Sequence, residues 1–143
     1  MARVKIDLPA TFNFTTKIPI RITDINYGGH LGNDTVLSII HEARVQFLKN
    51  AGYEELNLDG TALIMSDAAI EFKNEAFYGD VIIISVAATS FSKVAFELYY
   101  KLERDDNEKR ITVAVAKTGM VCYDYQQKKI IAIPASVKEN LAG

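Results

Sequence analysis

The amino-acid sequence predicts an α+β fold: a single domain over residues 1–143, with one long helix wrapped by a curved antiparallel sheet of about five to six strands. Three observations carry the prediction. From Phe12 to Ile22 the β-branched and aromatic residues fall at near-alternate positions, the period of a strand. From about Asp34 to Ala51 the apolar residues step by three and four, the period of a helix buried along one stripe. From Ala62 onward strand-like runs succeed one another across short turns, which makes neighbours antiparallel, and a twisted sheet of this kind is the natural surface on which to bury one helix stripe.

The first strand puts Phe12, Phe14, Thr16, Ile18, Ile20 and Ile22 on one side, and Pro19, which cannot donate to a ladder, marks an edge or a bulge. In the helix, Val36, Leu37, Ile40, Ala43, Phe47 and Leu48 form the apolar stripe and Gly52 supplies the C-terminal stop. Ala62 to Phe72 alternates between two faces, with Ala62, Ile64 and Ile70 on one and Leu63, Met65 and Ala69 on the other, and so predicts a strand covered on both sides. Tyr78-Gly-Asp80 reads as a turn into Val81 to Ala88, and Ser90-Phe-Ser-Lys93 as a turn into Val94 to Tyr100. The charged run Glu103 to Arg110 reads as a solvated hairpin turn into Ile111 to Ala116. Gly119, inside the last long strand, predicts a bulge or a close backbone approach; Gln126 to Lys129 closes another turn, and Pro134 to Leu141 forms a short terminal helix.

Composition excludes several classes of function. Lys plus Arg number 16 against 18 Asp plus Glu, a net charge of −2, so no global basic field recruits nucleic acid or an anionic membrane. A hydrophobic content of 49% is enough for a real core, yet no apolar run reaches transmembrane length, so the expected protein is cytoplasmic and not membrane-inserted. The single Cys122, in the apolar run Val121-Cys-Tyr123, is expected as a small core residue rather than a nucleophile. No set of His, Cys and carboxylates has metal-ligand spacing, and no Ser or Cys sits in a nucleophile elbow.

The functional site is expected in the loop between the first strand and the helix, Asp24-Ile-Asn-Tyr-Gly-Gly-His30-Leu-Gly-Asn33-Asp34. Its glycines allow the backbone to turn and to approach a ligand, and its polar residues have no packing reason to be grouped. A loop that feeds a helix also presents unpaired backbone N–H groups to a developing negative charge. His30 can bond a carbonyl or shuttle a proton near neutral pH. Asp24 either serves chemistry or fixes the loop by accepting backbone N–H bonds. Asp34 is either a catalytic carboxylate or an N-cap or first-turn acid. Glu42 either activates water, pairs with a basic side chain such as Arg44, or holds a dimer, and His41 reads as packing or surface.

Asp24, Asn26, His30, Gly32 and Asn33, then Glu42-Ala-Arg44, Ala76-Phe-Tyr-Gly-Asp80 and Ile133-Pro134, form a spaced pattern over nearly the whole chain. It resembles the hotdog-fold thioesterases, in the 4-hydroxybenzoyl-CoA thioesterase-like branch with its small bacterial acyl-CoA thioesterases. Those proteins carry an Asp-x-Asp-x-x-x-His-x-Asn-Asn loop before a helix containing Glu-Ala-Arg. The resemblance implies hydrolysis of an acyl-CoA or acyl-ACP thioester with no cofactor beyond the CoA of the substrate. It also implies a homodimer or homotetramer with a shared site, and an apolar tunnel beside the helix for the acyl group. The catalytic candidates are Asn26, His30, Asp34, Asp24 and Glu42; Tyr27, Gly28, Gly29, Leu31, Gly32 and Asn33 are the substrate-binding candidates.

One departure matters. Many members have a catalytic carboxylate where this chain has Asn26, and an amide cannot take a proton from water at neutral pH. Asp34 or Glu42 is the expected substitute, with Asp24 as a third carboxylate at hand. The alternative is a non-hydrolytic acyl-CoA or acyl-ACP binding protein on the same fold. A hotdog dehydratase is disfavoured, because the chain lacks that group's His-Phe-Pro segment.

Overall fold

The computed structural model describes residues 3–142. Along it run β1 (Phe14–Pro19), a 3-10 turn (Ile22–Asp24), α1 (Asn33–Asn50), β2 (Ala62–Phe72), β3 (Val81–Thr89), β4 (Ala95–Asp106), β5 (Lys109–Asp124), β6 (Lys129–Ile130) and α2 (Ala135–Leu141). The strands form one antiparallel sheet in the order β1-β3-β4-β5-β2, with β6 on β5. Among the described residues no helix is long and apolar enough to cross a membrane.

One face of the sheet holds the helix. α1 buries Val36, Ile39, Ile40, Ala43, Phe47 and Leu48, in one core cluster with Ile82, Ile84 and Val86 of β3, Phe96, Leu98 and Leu102 of β4, and Ala114, Ala116 and Met120 of β5. The strand residues in that cluster recur at every second position, so a single face of each strand meets the helix. Leu37 was expected in the stripe but points outward, and Ile39 takes its place, because three- and four-residue steps from Val36 lead to Ile39 and Ile40. The helix ends as predicted at Gly52, whose φ of +88° suits glycine. There the Gly52 N–H donates to the Lys49 carbonyl at 2.9 Å and the Tyr53 N–H to the Leu48 carbonyl at 2.8 Å, the paired bonds of a Schellman motif.

β1 is an edge strand ending at Pro19, in line with that residue's missing donor, and its Phe14 meets Phe47 edge-on at 5.7 Å. Three expectations need correction. β2 has the predicted bounds but is not covered on both sides: it is the other edge of the sheet, and Met65, Ser66, Asp67 and Ala68 are all exposed. Alternation reports two faces, not what lies on them. The run Glu103 to Arg110 is not a turn throughout, since β4 extends to Asp106 and β5 starts at Lys109, leaving Asn107, at φ +55°, and Glu108 as the tip. Glu103 and Arg104 are largely covered, while from Asp105 onward the charges are exposed and pair across the hairpin, as Arg110 Nε does with Asp105 Oδ1 at 2.9 Å. Lys129 belongs to β6 rather than to the turn before it.

Gly119 is the close approach that its position implied. The β2–β5 register shifts between Met65 and Asp67, and a methyl group on Gly119 would collide with the Asp67 carboxylate. Cys122 is buried and free, and burial pushes its thiol pKa up. Pro134 opens α2, which buries Val137 and Leu141.

The β4–β5 pair carries an ion pair with a definite pH signature. Lys117 Nζ lies 2.9 Å from Glu97 Oε2, holding the Glu97 carboxyl below its usual range while Glu97 raises Lys117. A carboxylate whose folded pKa is depressed stabilises above its unfolded pKa, and that contribution is lost as pH falls through the folded one. Glu97→Gln is therefore expected to destabilise by about 0.5 kcal/mol at neutral pH. Urea unfolding at a series of pH values should show the gap to wild type closing on the acid side; a pH-independent gap would rule out the pair as its cause.

Candidate active site

The loop after β1 is pinned from inside. Asp24 is buried, and its Oδ2 accepts the Arg21 backbone N–H at 2.8 Å while Oδ1 lies 3.3 Å from Arg21 Nη2. Its carbonyl accepts the Gly32 N–H at 3.1 Å. These contacts are of the kind that fixes a loop. Ile25 and Leu31 form an antiparallel bridge, the Asn26 N–H donates to the His30 carbonyl at 2.9 Å, and the Gly29 N–H donates to the Asn26 carbonyl at 3.0 Å. The tip is thus a tight turn, with Gly29 at φ +85° and Tyr27 fully exposed, away from the cleft.

Asn26 has one end committed. Its Oδ1 accepts the Gly28 N–H at 2.8 Å, which leaves Nδ2, a donor, free for a ligand. A methyl group on Gly28 would lie 3.2 Å from Asn26 Oδ1 and 3.4 Å from His30 Nε2. One on Gly32 would lie 2.7 Å from Asp34 Oδ1 and 3.5 Å from Asn26 Cβ. Asn26 therefore has His30 on one side and Asp34 on the other.

The N-cap of α1 is Gly32, not Asp34, which sits exposed in the first turn. Among the described residues no side-chain hydrogen bond caps the helix. The N–H groups of Thr35 and Val36 reach the Gly32 carbonyl, whereas those of Asn33 and Asp34 have no acceptor among the described residues. Two donors at the positive end of an 18-residue helix are available to a ligand oxygen.

The opposite wall comes from the β2–β3 connection. The Leu31 N–H donates to the Ala76 carbonyl at 2.8 Å, and Arg104 Nε donates to the Glu75 carbonyl at 2.9 Å while its guanidinium sits 5.6 Å from the Phe77 ring centre. His30 Nδ1 lies 3.2 Å from the Leu31 carbonyl, which only accepts, so Nδ1 carries the hydrogen and the neutral ring presents the Nε2 lone pair. Nε2 is 3.9 Å from Glu75 Oε1. Between these walls lies an open cleft of about 190 Å³, lined by His30, Leu31, Asn33, Val36, Glu75 and Val113 among others. It is not a closed tunnel within one chain.

Of the predicted site residues, the loop brings Asn26, His30, Asn33 and Asp34 together at the helix start. Glu42 stands apart, eight residues or roughly 12 Å further along the helix. It is exposed and accepts from Gln46 Nε2 at 2.7 Å. Arg44 is not its partner: the guanidinium is buried against Glu55 Oε1 at 3.3 Å and the Tyr100 hydroxyl at 3.3 Å. His41 does have a partner, Glu55 Oε1 at 3.1 Å. A larger cavity of about 590 Å³, bordered by His41, Val45, Leu56, Leu63 and Tyr125, contains none of the loop residues. Lys73, Asn74 and Glu75, which border the first cleft, were not singled out from sequence. Their one signal was adjacency to the Ala76-Phe-Tyr-Gly-Asp80 turn.

A sequence profile of the thioesterase-like superfamily matches residues 20–141. The chain belongs to that superfamily. This thioesterase-like chain is 33% identical over 125 residues to a 1,4-dihydroxy-2-naphthoyl-CoA hydrolase of Microcystis aeruginosa, covering 85% of the chain and 88% of that protein. Its backbone matches a 1,4-dihydroxy-2-naphthoyl-CoA thioesterase from Synechocystis with a TM-score of 0.79 at 22% identity, covering 90% of this chain and 94% of the other. It also matches 4-hydroxybenzoyl-CoA thioesterase from Pseudomonas sp. strain CBS-3 with a TM-score of 0.78 at 17% identity, covering 91% and 99%. The fold is the hotdog fold, and the thioesterase-like chain is a thioester hydrolase.

Proposed function

We propose that the chain hydrolyses an acyl-CoA to the free acid and CoA, with acyl-ACP as the other carrier to be tested. The carrying observation is the convergence of the His30 ring and Asn33 on one cleft with an apolar floor of Leu31, Val36 and Val113, with the Asn26 amide beside His30 and two free N–H groups at the adjoining start of α1. The thioester carbonyl points at the N–H groups of Asn33 and Asp34, which gain most once its oxygen becomes an oxyanion. Asn26 Nδ2 adds a donor, and the His30 Nε2 lone pair accepts from the attacking water. Gly28, Gly29 and Gly32 shape the approach of the backbone, and Leu31 and Asn33 contact the acyl end, whereas Tyr27, which points away from the cleft, is left without a substrate contact. A carboxylate takes the water's proton, and no further cofactor takes part.

The relatives' names make aromatic acyl-CoAs the first substrates to test. Release of CoA from a panel of aromatic and aliphatic acyl-CoAs should show turnover. Binding without release would leave the chain as a non-hydrolytic binder; in that case, release by Asn26→Asp would point to the missing carboxylate as the cause.

The working unit proposed is a homo-oligomer, dimer or tetramer, in the cytoplasm. The open edge of β2 and the exposed Leu37, Val45, Leu56 and Met65 give a second copy both backbone groups and apolar surface to cover. Sedimentation at micromolar concentration is expected to show no 15.9 kDa species; a well-folded monomer there would remove the shared-site arrangement.

A further inference from the structure

Resting on the hydrolytic reading above, we propose that Glu75 is the carboxylate that takes the proton from the attacking water, in place of the acid that Asn26 lacks. The other candidates are used elsewhere or badly placed. Asp24 is buried and bound to Arg21. Glu42 lies roughly two turns down the helix from the loop and bonds Gln46. Asp34 stands beside the two free N–H groups, where its charge would compete with the oxyanion those donors serve.

Glu75 faces the cleft from the opposite wall. Its backbone is fixed by the Arg104 bond to its own carbonyl and by the Leu31 bond to the carbonyl of Ala76, which ties it to the loop that carries His30. Its side chain is 64% exposed, and among the described residues the His30 ring is its one ion-pair partner. A separation of 3.9 Å between Glu75 Oε1 and His30 Nε2 is too long for a direct bond. One water donating an O–H to each acceptor at about 2.8 Å spans about 4.4 Å, so a small outward turn of the exposed Glu75 side chain admits it between the two. Such a water turns its lone pairs away from both bases and towards the cleft, where the carbonyl lies.

The step then balances. The water oxygen forms a bond to the thioester carbon as its proton passes to the Glu75 carboxylate, and the carbonyl π electrons move onto the oxygen facing the helix. The tetrahedral intermediate collapses with cleavage of the C–S bond, and the CoA thiolate takes the proton back from Glu75. Acid and thiol leave, and the carboxylate is regenerated.

Glu75→Gln tests this on the full chain with the best acyl-CoA found. It keeps shape and removes basicity, and at an exposed side chain it should leave the unfolding curve unchanged. The expected result is a fall in kcat of about 100-fold or more with KM nearly unchanged, displacement of the acid limb of the kcat–pH profile, and partial recovery in Glu75→Asp. Retention of more than a third of wild-type kcat, or a fall with the acid limb unmoved, overturns the assignment while the hydrolytic reading stands. Wild type that binds acyl-CoA but releases no thiol removes the hydrolytic reading, and the role of Glu75 with it.

Discussion

His30→Ala is expected to lower turnover of the best acyl-CoA by more than tenfold while shifting unfolding by no more than about 0.5 kcal/mol. The ring is half-buried and its one hydrogen bond among the described residues is the contact with the Leu31 carbonyl, which is already next to the bonded Leu31 N–H. The loop's closure rests instead on backbone bonds between Asn26, Gly29 and His30 and on Asp24, none of which needs the imidazole. What the substitution removes is the Nε2 acceptor facing the cleft. The effect should therefore fall on kcat rather than KM, and the urea midpoint should stay in place. Unchanged kinetics would make His30 structural and move the site away from this loop.

The candidate site was half legible in the sequence, and the division follows chain distance. Asn26, His30 and Asp34 lie within nine residues of one another, so a glycine-bearing loop before a helix brings them together whatever the rest of the chain does. Glu75 lies 45 residues beyond His30, and its place depends on the Leu31 to Ala76 bond and on Arg104, contacts that no local pattern announces. The same contrast runs through the fold. The 3.6-residue period of α1 and its Gly52 stop are local, and both were read correctly. Whether β2 is central or an edge depends on which strands arrive later, and its alternating pattern is compatible with either. Charge misled at Glu103 to Arg110 because a hairpin solvates the charges of its end, here from Asp105 onward, as well as a loop does. Arg44, read only as a possible partner of Glu42, is placed by its helical position on the core side, against Glu55.

Arg44→Ala is expected to destabilise the protein by about 2–3 kcal/mol, the largest loss from any single helix polar residue. The guanidinium is almost wholly buried, with side-chain exposure of 7%, and it joins Glu55 of the loop after α1 to the Tyr100 hydroxyl of β4. Truncation strands both partners, but not completely. Tyr100 keeps Thr118 Oγ1 at 2.7 Å, and Glu55 keeps His41 Nε2 at 3.1 Å, so the loss stays below that of a buried ion with no other partner. Burial already pushes the Tyr100 phenol pKa up, so that group remains a neutral donor or acceptor through the working range. Arg44→Met restores the apolar stem without the charge and should recover part of the loss; urea unfolding of the two variants separates packing from pairing. If Arg44→Ala and Arg44→Met lose the same amount, the stem contributes nothing. If neither loses more than about 0.5 kcal/mol, the buried network does not fasten the helix to the sheet.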